Sequence, residues 1–143
     1  MQTFLPYPDF AASGRCLDSK RLGKQRVEVL QILNALQNPE SKGWKNHPAT
    51  LMWRGYEAAL IRYGVAICDE WRSRGFRDTV REKLLDRLPP GGAEDSPSWL
   101  GDEGLHASHR SSLLRKDTQH YGQFGWSEPD DLEYIWPVHK APP

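Results

Sequence analysis

The sequence predicts an all-α protein, one compact domain of about three main helices with extended, aromatic-rich terminal segments. Three observations carry that expectation. The chain has 143 residues, the size of one domain at about 100–200 residues each. Apolar residues recur at helical spacing in long windows. No two runs alternate apolar and polar residues across turn signals, as paired strands would.

The elements follow in chain order. Residues 1–16 read as an extended lead-in, because Pro6 and Pro8 bias Leu5 and Tyr7 away from helix. Asp9 can cap a short turn over Phe10, Ala11 and Ala12, with Gly14 as its stop. The first main helix is expected from Leu17 or Asp18 to Leu36. Leu22, Val29, Leu33 and Leu36 mark its apolar side, flanked by Leu30 and Ile32. Lys20, Arg21, Lys24, Glu28 and Gln31 fall on the opposite arc, and Asn38-Pro39 ends the helix. Gly23 inside it costs about 1 kcal/mol relative to Ala, so it marks a bend or a close backbone approach.

Residues 38–47 read as a loop. Pro48 suits the first position of a second helix, with Asn46 or His47 near its cap. That helix is expected to reach Arg74 on a stripe of Met52, Tyr56, Ala59, Leu60, Tyr63, Ala66 and Ile67. Gly55 and Gly64 suit a tight helix crossing, and Gly75 is a natural stop. Residues 78–88 add a short helix. A Pro/Gly/Ser linker is expected at about 89–98, and a third main helix from about Glu103 to Lys116. Beyond Asp117 the chain is aromatic and irregular, with a frayed tail at about 140–143. The whole of 1–143 is expected to be one domain.

Composition excludes several classes. No window approaches the roughly 18 consecutive apolar residues of a membrane helix. The first residues lack the basic and apolar regions of a secretory leader. Two cysteines, Cys16 and Cys68, cannot build a disulfide framework and suit a reducing cytosol. The expected location is therefore the cytoplasm, nucleoid-associated if the chain binds DNA. The net charge is zero, but it is split. Residues 1–90 carry 15 Lys and Arg against 10 Asp and Glu, and residues 91–143 carry 4 against 9. A basic first part can bind nucleic acid despite a neutral total, because binding reads the local field. A solvated mixed-charge surface would give the same split.

Three polar clusters could hold chemistry. In the first, Lys20, Arg21, Lys24 and Glu28 share about a 100° arc, with Asp18 and Arg26 beside them. Such cations hold phosphates and place a carboxylate beside the bound strand. The same residues also fit an ordinary solvated face with a Lys24–Glu28 pair worth a few tenths of a kcal/mol. In the second, Trp44, Lys45, Asn46 and His47 precede Trp53, Arg54 and Glu57. Trp and Arg near a loop can stack an unpaired base, or Trp53 is core and His47 a cap. The third is His106, His109 and Arg110, then Arg115, Lys116, His120 and Tyr121. His106 and His109 lack the Cys or carboxylate partners of a zinc site. The sequence has no CxxC, HExxH, Walker A loop, GxGxxG or GxSxG. Neither a metal nor a nucleotide cofactor is expected, and Cys16 and Cys68 read as buried thiols.

The order of these clusters resembles the pyrimidine-dimer DNA glycosylase family, of the phage endonuclease V type. Three stretches carry the likeness: Leu17 through Lys24 to Glu28; His47-Pro48-Ala49-Thr50 through Cys68 to Arg74-Gly75-Phe76; and His106 to Arg115 with His120-Tyr121-Gly122. The chain is most similar to a bacterial branch that opens with Gln2-Thr3-Phe4-Leu5-Pro6. The resemblance implies an all-α, cofactor-free glycosylase that acts on a damaged or modified base in duplex DNA. It also implies an AP-lyase step in which the N-terminal amine attacks the sugar C1′ and a glutamate assists. Two positions depart from the family. Gln2 replaces a small residue, and Met before a bulky residue is retained, so the amine belongs to Met1. Arg21 stands near the family glutamate, which leaves Asp18 and Glu28 as the nearest carboxylates.

The implied catalytic residues are thus Met1, Asp18 and Glu28. The implied DNA-binding residues are Lys20, Arg21, Lys24, Arg26, His47, Trp53, Arg54, His109, Arg110, Lys116 and Tyr121. The expected partner of this monomer is duplex DNA. The alternatives are a non-catalytic DNA-binding module on the same scaffold and a cytosolic protein-interaction domain.

Overall fold

The structure, a computed structural model, describes residues 1–38, 40, 43–90 and 96–138. The linker expected at about 89–98 lies partly outside these residues, and the tail at about 140–143 wholly so. The described residues form helices and no strands.

The chain opens extended and enters α1 (Phe10–Cys16), whose N-cap Asp9 accepts from the Ala11 N–H. The helix does not stop at Gly14 as expected. It runs on to Cys16, with Gly14 in an ordinary helical position: a Cβ there would make only normal van der Waals contact with Ile67, 3.5 Å away. Next, α2 (Ser19–Gln37) is capped by Asp18, which accepts from the Arg21 N–H. Its apolar side buries Leu22, Val29, Ile32 and Leu33 completely. A single turn, α3 (Pro48–Leu51), starts with His47 as N-cap.

The second main helix is not continuous from Pro48 to Arg74. The chain leaves α3, turns at Gly55 with φ +84°, and restarts as α4 (Glu57–Ser73). Gly55 serves that left-handed turn and not a crossing, since a Cβ there would meet nothing. Gly64 does make the crossing. Its missing Cβ would lie 2.7 Å from Val29 on α2 and 2.5 Å from Leu84 on α5 (Val80–Leu85). Gly64→Ala is expected to cost about 1–3 kcal/mol by overpacking. Urea unfolding with an unchanged slope measures it, and wild-type stability in the variant would contradict the close approach. Gly23 likewise faces an intruding ring, with Trp71 2.9 Å from its would-be Cβ.

The last main helix, α6 (Glu103–Lys116), has the expected bounds and is followed by α7 (Thr118–Tyr121) and a 3-10 turn, Gly122–Phe124. Its core-facing residues are unusual. Leu105 and Leu113 are fully buried, but so are or nearly so His106, Ser108, His109 and Ser111. The reason is that extended segments lie on both sides of α6, and their backbone groups need partners. The opening segment gives its Leu5 N–H to His109 Nδ1 at 2.9 Å and receives His106 Nδ1–H on the Leu5 carbonyl at 2.7 Å. The closing segment gives the Ile135 N–H to Ser108 Oγ at 3.1 Å and the Leu132 N–H to Ser111 Oγ at 3.0 Å. Thus α6 is a polar spine that holds both ends of the chain.

No helix of the described residues is long and apolar enough to cross a membrane.

Candidate active site

The opening segment is fixed residue by residue before it reaches its terminus. Arg110 Nη1 donates to the Pro6 carbonyl at 2.7 Å, while Glu103 and Glu128 hold the guanidinium. The Phe4 N–H donates to Gln25 Oε1 at 3.0 Å, and the Tyr63 hydroxyl bridges the Phe4 carbonyl and Gln25 Oε1 at 2.7 Å each. Thr3 is fully buried and accepts from Trp53 Nε1 at 3.1 Å. These bonds leave Met1 and Gln2 at the mouth of a cleft.

That cleft, about 440 Å³, is lined by Met1, Gln2 and Phe4, by Lys20, Arg21, Lys24, Gln25 and Glu28 of α2, and by Lys116 at the end of α6. Its size suits a nucleotide-sized guest, since ligand pockets run from about 300 to 1,000 Å³. The arc foreseen on α2 is therefore real: Lys20, Arg21, Lys24 and Glu28 share one wall. Glu28 is the single carboxylate of that lining. Gln25 uses both of its amide hydrogens to join the terminus to that carboxylate. Its Nε2 donates to the Gln2 carbonyl at 2.7 Å and to Glu28 Oε2 at 2.8 Å. The Gln2 N–H lies 3.5 Å from the same oxygen, and Lys24 Nζ lies 3.9 Å from Glu28 Oε1. The carboxylate is thus held within one residue of the chain's terminal amine.

An aromatic wall stands near the amine. The amine is close enough to His47 for its charge to add to burial in lowering that imidazole's pKa. His47 Nδ1 caps α3 by accepting from the Ala49 N–H at 3.0 Å. Its ring meets Trp44 edge-on at 5.4 Å and Trp136 at 5.7 Å. Trp44 is 49% exposed and adopts φ +55°, a left-handed conformation rare for a bulky residue. Arg54 braces the same loop, donating to the Lys45 carbonyl at 3.2 Å.

The other foreseen residues do not reach the cleft. Asp18 lies one step behind it. Burial pushes its carboxyl pKa up, but bonds from Tyr121 and Arg21 outweigh that and hold it below the ordinary value. Asp18 in turn holds Arg21, whose Nη1 is 3.2 Å away and which does line the cleft. Tyr121 is fully buried and donates its hydroxyl to Asp18. Arg26 turns toward α4, where it covers the Trp71 ring at 4.6 Å, and pairs with the buried Asp78 just before α5. Trp53 is core, packed with Tyr63 and Trp99. His109 and Arg110 are buried in the spine that fixes the opening segment. Burial, with a smaller contribution from His106, lowers the His109 pKa to about 3, so its ring is neutral.

Sequence reasoning missed Gln25 and Tyr63. Gln25 carried a readable signal, a polar residue three before Glu28 at the rim of the apolar stripe. Tyr63 reads as one more core residue. Among the described residues no three His, Cys, Asp or Glu side chains are arranged to hold a metal ion.

The family model described as pyrimidine dimer DNA glycosylase matches residues 1–84, which include the opening segment, the α2 wall and Glu28, but not α6 or the aromatic C-terminal segment. No curated protein and no solved structure matches the chain.

Proposed function

Because the chain belongs to the pyrimidine dimer DNA glycosylase family, we propose that it removes a damaged or modified base from duplex DNA and carries an AP-lyase step through its Met1 amine. The observation that carries this reading is the joining of the terminus to Glu28 by Gln25 inside a cation-lined cleft.

The chemistry follows from the groups present. The neutral amine attacks C1′, and the base leaves with the bonding electrons and takes a proton. The remaining amine proton passes to the ring oxygen as the C1′–O bond breaks, which opens the sugar ring and leaves an imine at C1′. That imine acidifies the C2′ hydrogen, and its removal expels the 3′ phosphate by β-elimination. In this reading Glu28 takes the amine proton and stabilises positive charge growing on the sugar. Lys20, Arg21, Lys24 and Lys116 hold phosphates, with Asp18 orienting Arg21. The reacting nucleotide must leave the stack, and His47 with the exposed Trp44 offers it an aromatic face on the loop that Arg54 braces. Trp53, His109 and Arg110 serve by fixing the opening segment, and Tyr121 by holding Asp18.

A Lys20→Ala/Lys24→Ala double variant is expected to weaken duplex binding and flatten its salt dependence. Two lost phosphate contacts lower the slope of log K against log salt by about 1.8. Fluorescence anisotropy across a salt series measures it, beside an assay for base release on a panel of damaged bases. Binding without base release from any of them would support the non-catalytic module. No duplex affinity at about 0.15 M salt would support the protein-interaction domain.

A further inference from the structure

Tyr134 lies in the closing segment, outside the residues that match the family. Its ring is clamped: it stacks on His109 at 4.5 Å with a 17° interplanar angle and meets Trp136 at 4.7 Å. His109 is itself fixed by the Leu5 N–H. The Tyr134 hydroxyl lies beside the Gln2 side chain, which interacts with it weakly, and feels the Glu28 charge, yet no atom of the described residues meets hydrogen-bond geometry with it. The oxygen is enclosed as well, so among the described residues this phenol is buried without a well-formed hydrogen bond.

Such a group lowers stability, because its lost hydration is not replaced. Buried unpartnered polar atoms are rare, and a catalytic role is one of the few explanations for them. Burial, with the Glu28 charge adding to it, drives the hydroxyl pKa far up. The group therefore stays protonated and keeps a hydrogen to donate to an acceptor. Nearby, the Gln25 amide has all its partners and the Tyr63 hydroxyl has two, while Nε2 of the His109 ring stacked on Tyr134 also has none among the described residues. The side chain between Tyr134 and the cleft is that of Gln2, which lines the cleft at the second residue of the chain.

We propose that Tyr134 is a further catalytic residue. When a substrate turns the Gln2 side chain aside, the hydroxyl donates a hydrogen bond to an oxygen of the deoxyribose attacked by the Met1 amine. This inference rests on the proposed amine chemistry. Consecutive Cα atoms are about 3.8 Å apart, so a hydroxyl facing Gln2 lies near the sugar whose C1′ the amine must reach. The ring oxygen is bonded to C1′ and takes up electron density as the ring opens. A protonated donor of raised pKa stabilises that oxygen without giving up its proton first.

The test uses the full chain, wild type and Tyr134→Phe, on a duplex with one abasic site, so that no base is present to confuse the contact. The variant keeps the clamped ring and removes only the unpartnered oxygen. It is expected to melt at or above the wild-type temperature, to bind the duplex equally, and to form the borohydride-trapped adduct at least tenfold more slowly. An equal trapping rate would overturn the proposal. So would a slower rate explained wholly by weaker binding or a lower melting temperature, because the hydroxyl would then be structural. A wild-type protein that binds the duplex and forms no adduct would overturn the amine chemistry itself, and this role with it.

Discussion

Glu28→Gln is expected to abolish turnover while leaving duplex binding intact or slightly tighter. The substitution keeps the side-chain length and an oxygen that can still accept from Gln25 Nε2, now 2.8 Å from the carboxylate. It removes the charge and the ability to take a proton. Loss of a positioned acid–base group typically costs about 10²–10⁴-fold in rate. Binding should not suffer, because Glu28 is the sole negative side chain in a lining that includes Lys20, Arg21, Lys24 and Lys116. Single-turnover base release and anisotropy on the same duplex separate the two effects. Full activity in the variant would remove Glu28 from the site. A parallel loss of binding would mean that the variant had lost the arrangement of the opening segment.

Asp78→Ala carries the largest expected cost in stability. The Asp78 side chain is fully buried and pairs with Arg26, which is 14% exposed. It also accepts from the Val80 N–H at 3.2 Å and the Arg81 N–H at 2.9 Å, closing the first turn of α5. Removing it strands the Arg26 guanidinium and uncaps that helix. Breaking one side of a buried pair costs about 3–5 kcal/mol. Chemical denaturation measures the loss, and a value under about 1 kcal/mol would reduce the pair to the worth of a surface contact. The pH dependence has a definite sign. Burial opposes the Asp78 charge, but the backbone bonds and Arg26 outweigh it, so the folded pKa is depressed. Its stabilisation is therefore complete above the unfolded value of about 3.9 and is lost as pH falls through the folded value. The variant should lack that part of the acid-induced loss of stability.

Arg26 also shows where the sequence could be read and where it could not. The arc of Lys20, Arg21, Lys24 and Glu28 was legible because helical geometry alone sets it. Arg26 belongs to the same basic run, but its direction depends on Asp78, 52 residues away. The bounds of α6 were legible from its caps and spacing. The burial of its His106, His109 and Arg110 was not, because it arises from extended segments that bond to the helix over more than 100 residues of sequence. The break before α4 was hidden for a different reason: Gly55 is equally compatible with a close crossing and with a left-handed turn, and only the backbone angle tells them apart. Gln25 is legible as a polar residue at the rim of the apolar stripe, but its partner is not, because the Gln2 carbonyl comes from an extended segment 23 residues earlier.

The central claim is that the terminal amine, joined to Glu28 through Gln25, is the nucleophile. Borohydride trapping on a duplex with a single abasic site, followed by intact-mass measurement and peptide mapping, tests it most directly. The account predicts one covalent adduct, on the α-amine of Met1. An adduct on Lys20, Lys24 or Lys116, or no adduct while the duplex stays bound, would contradict it.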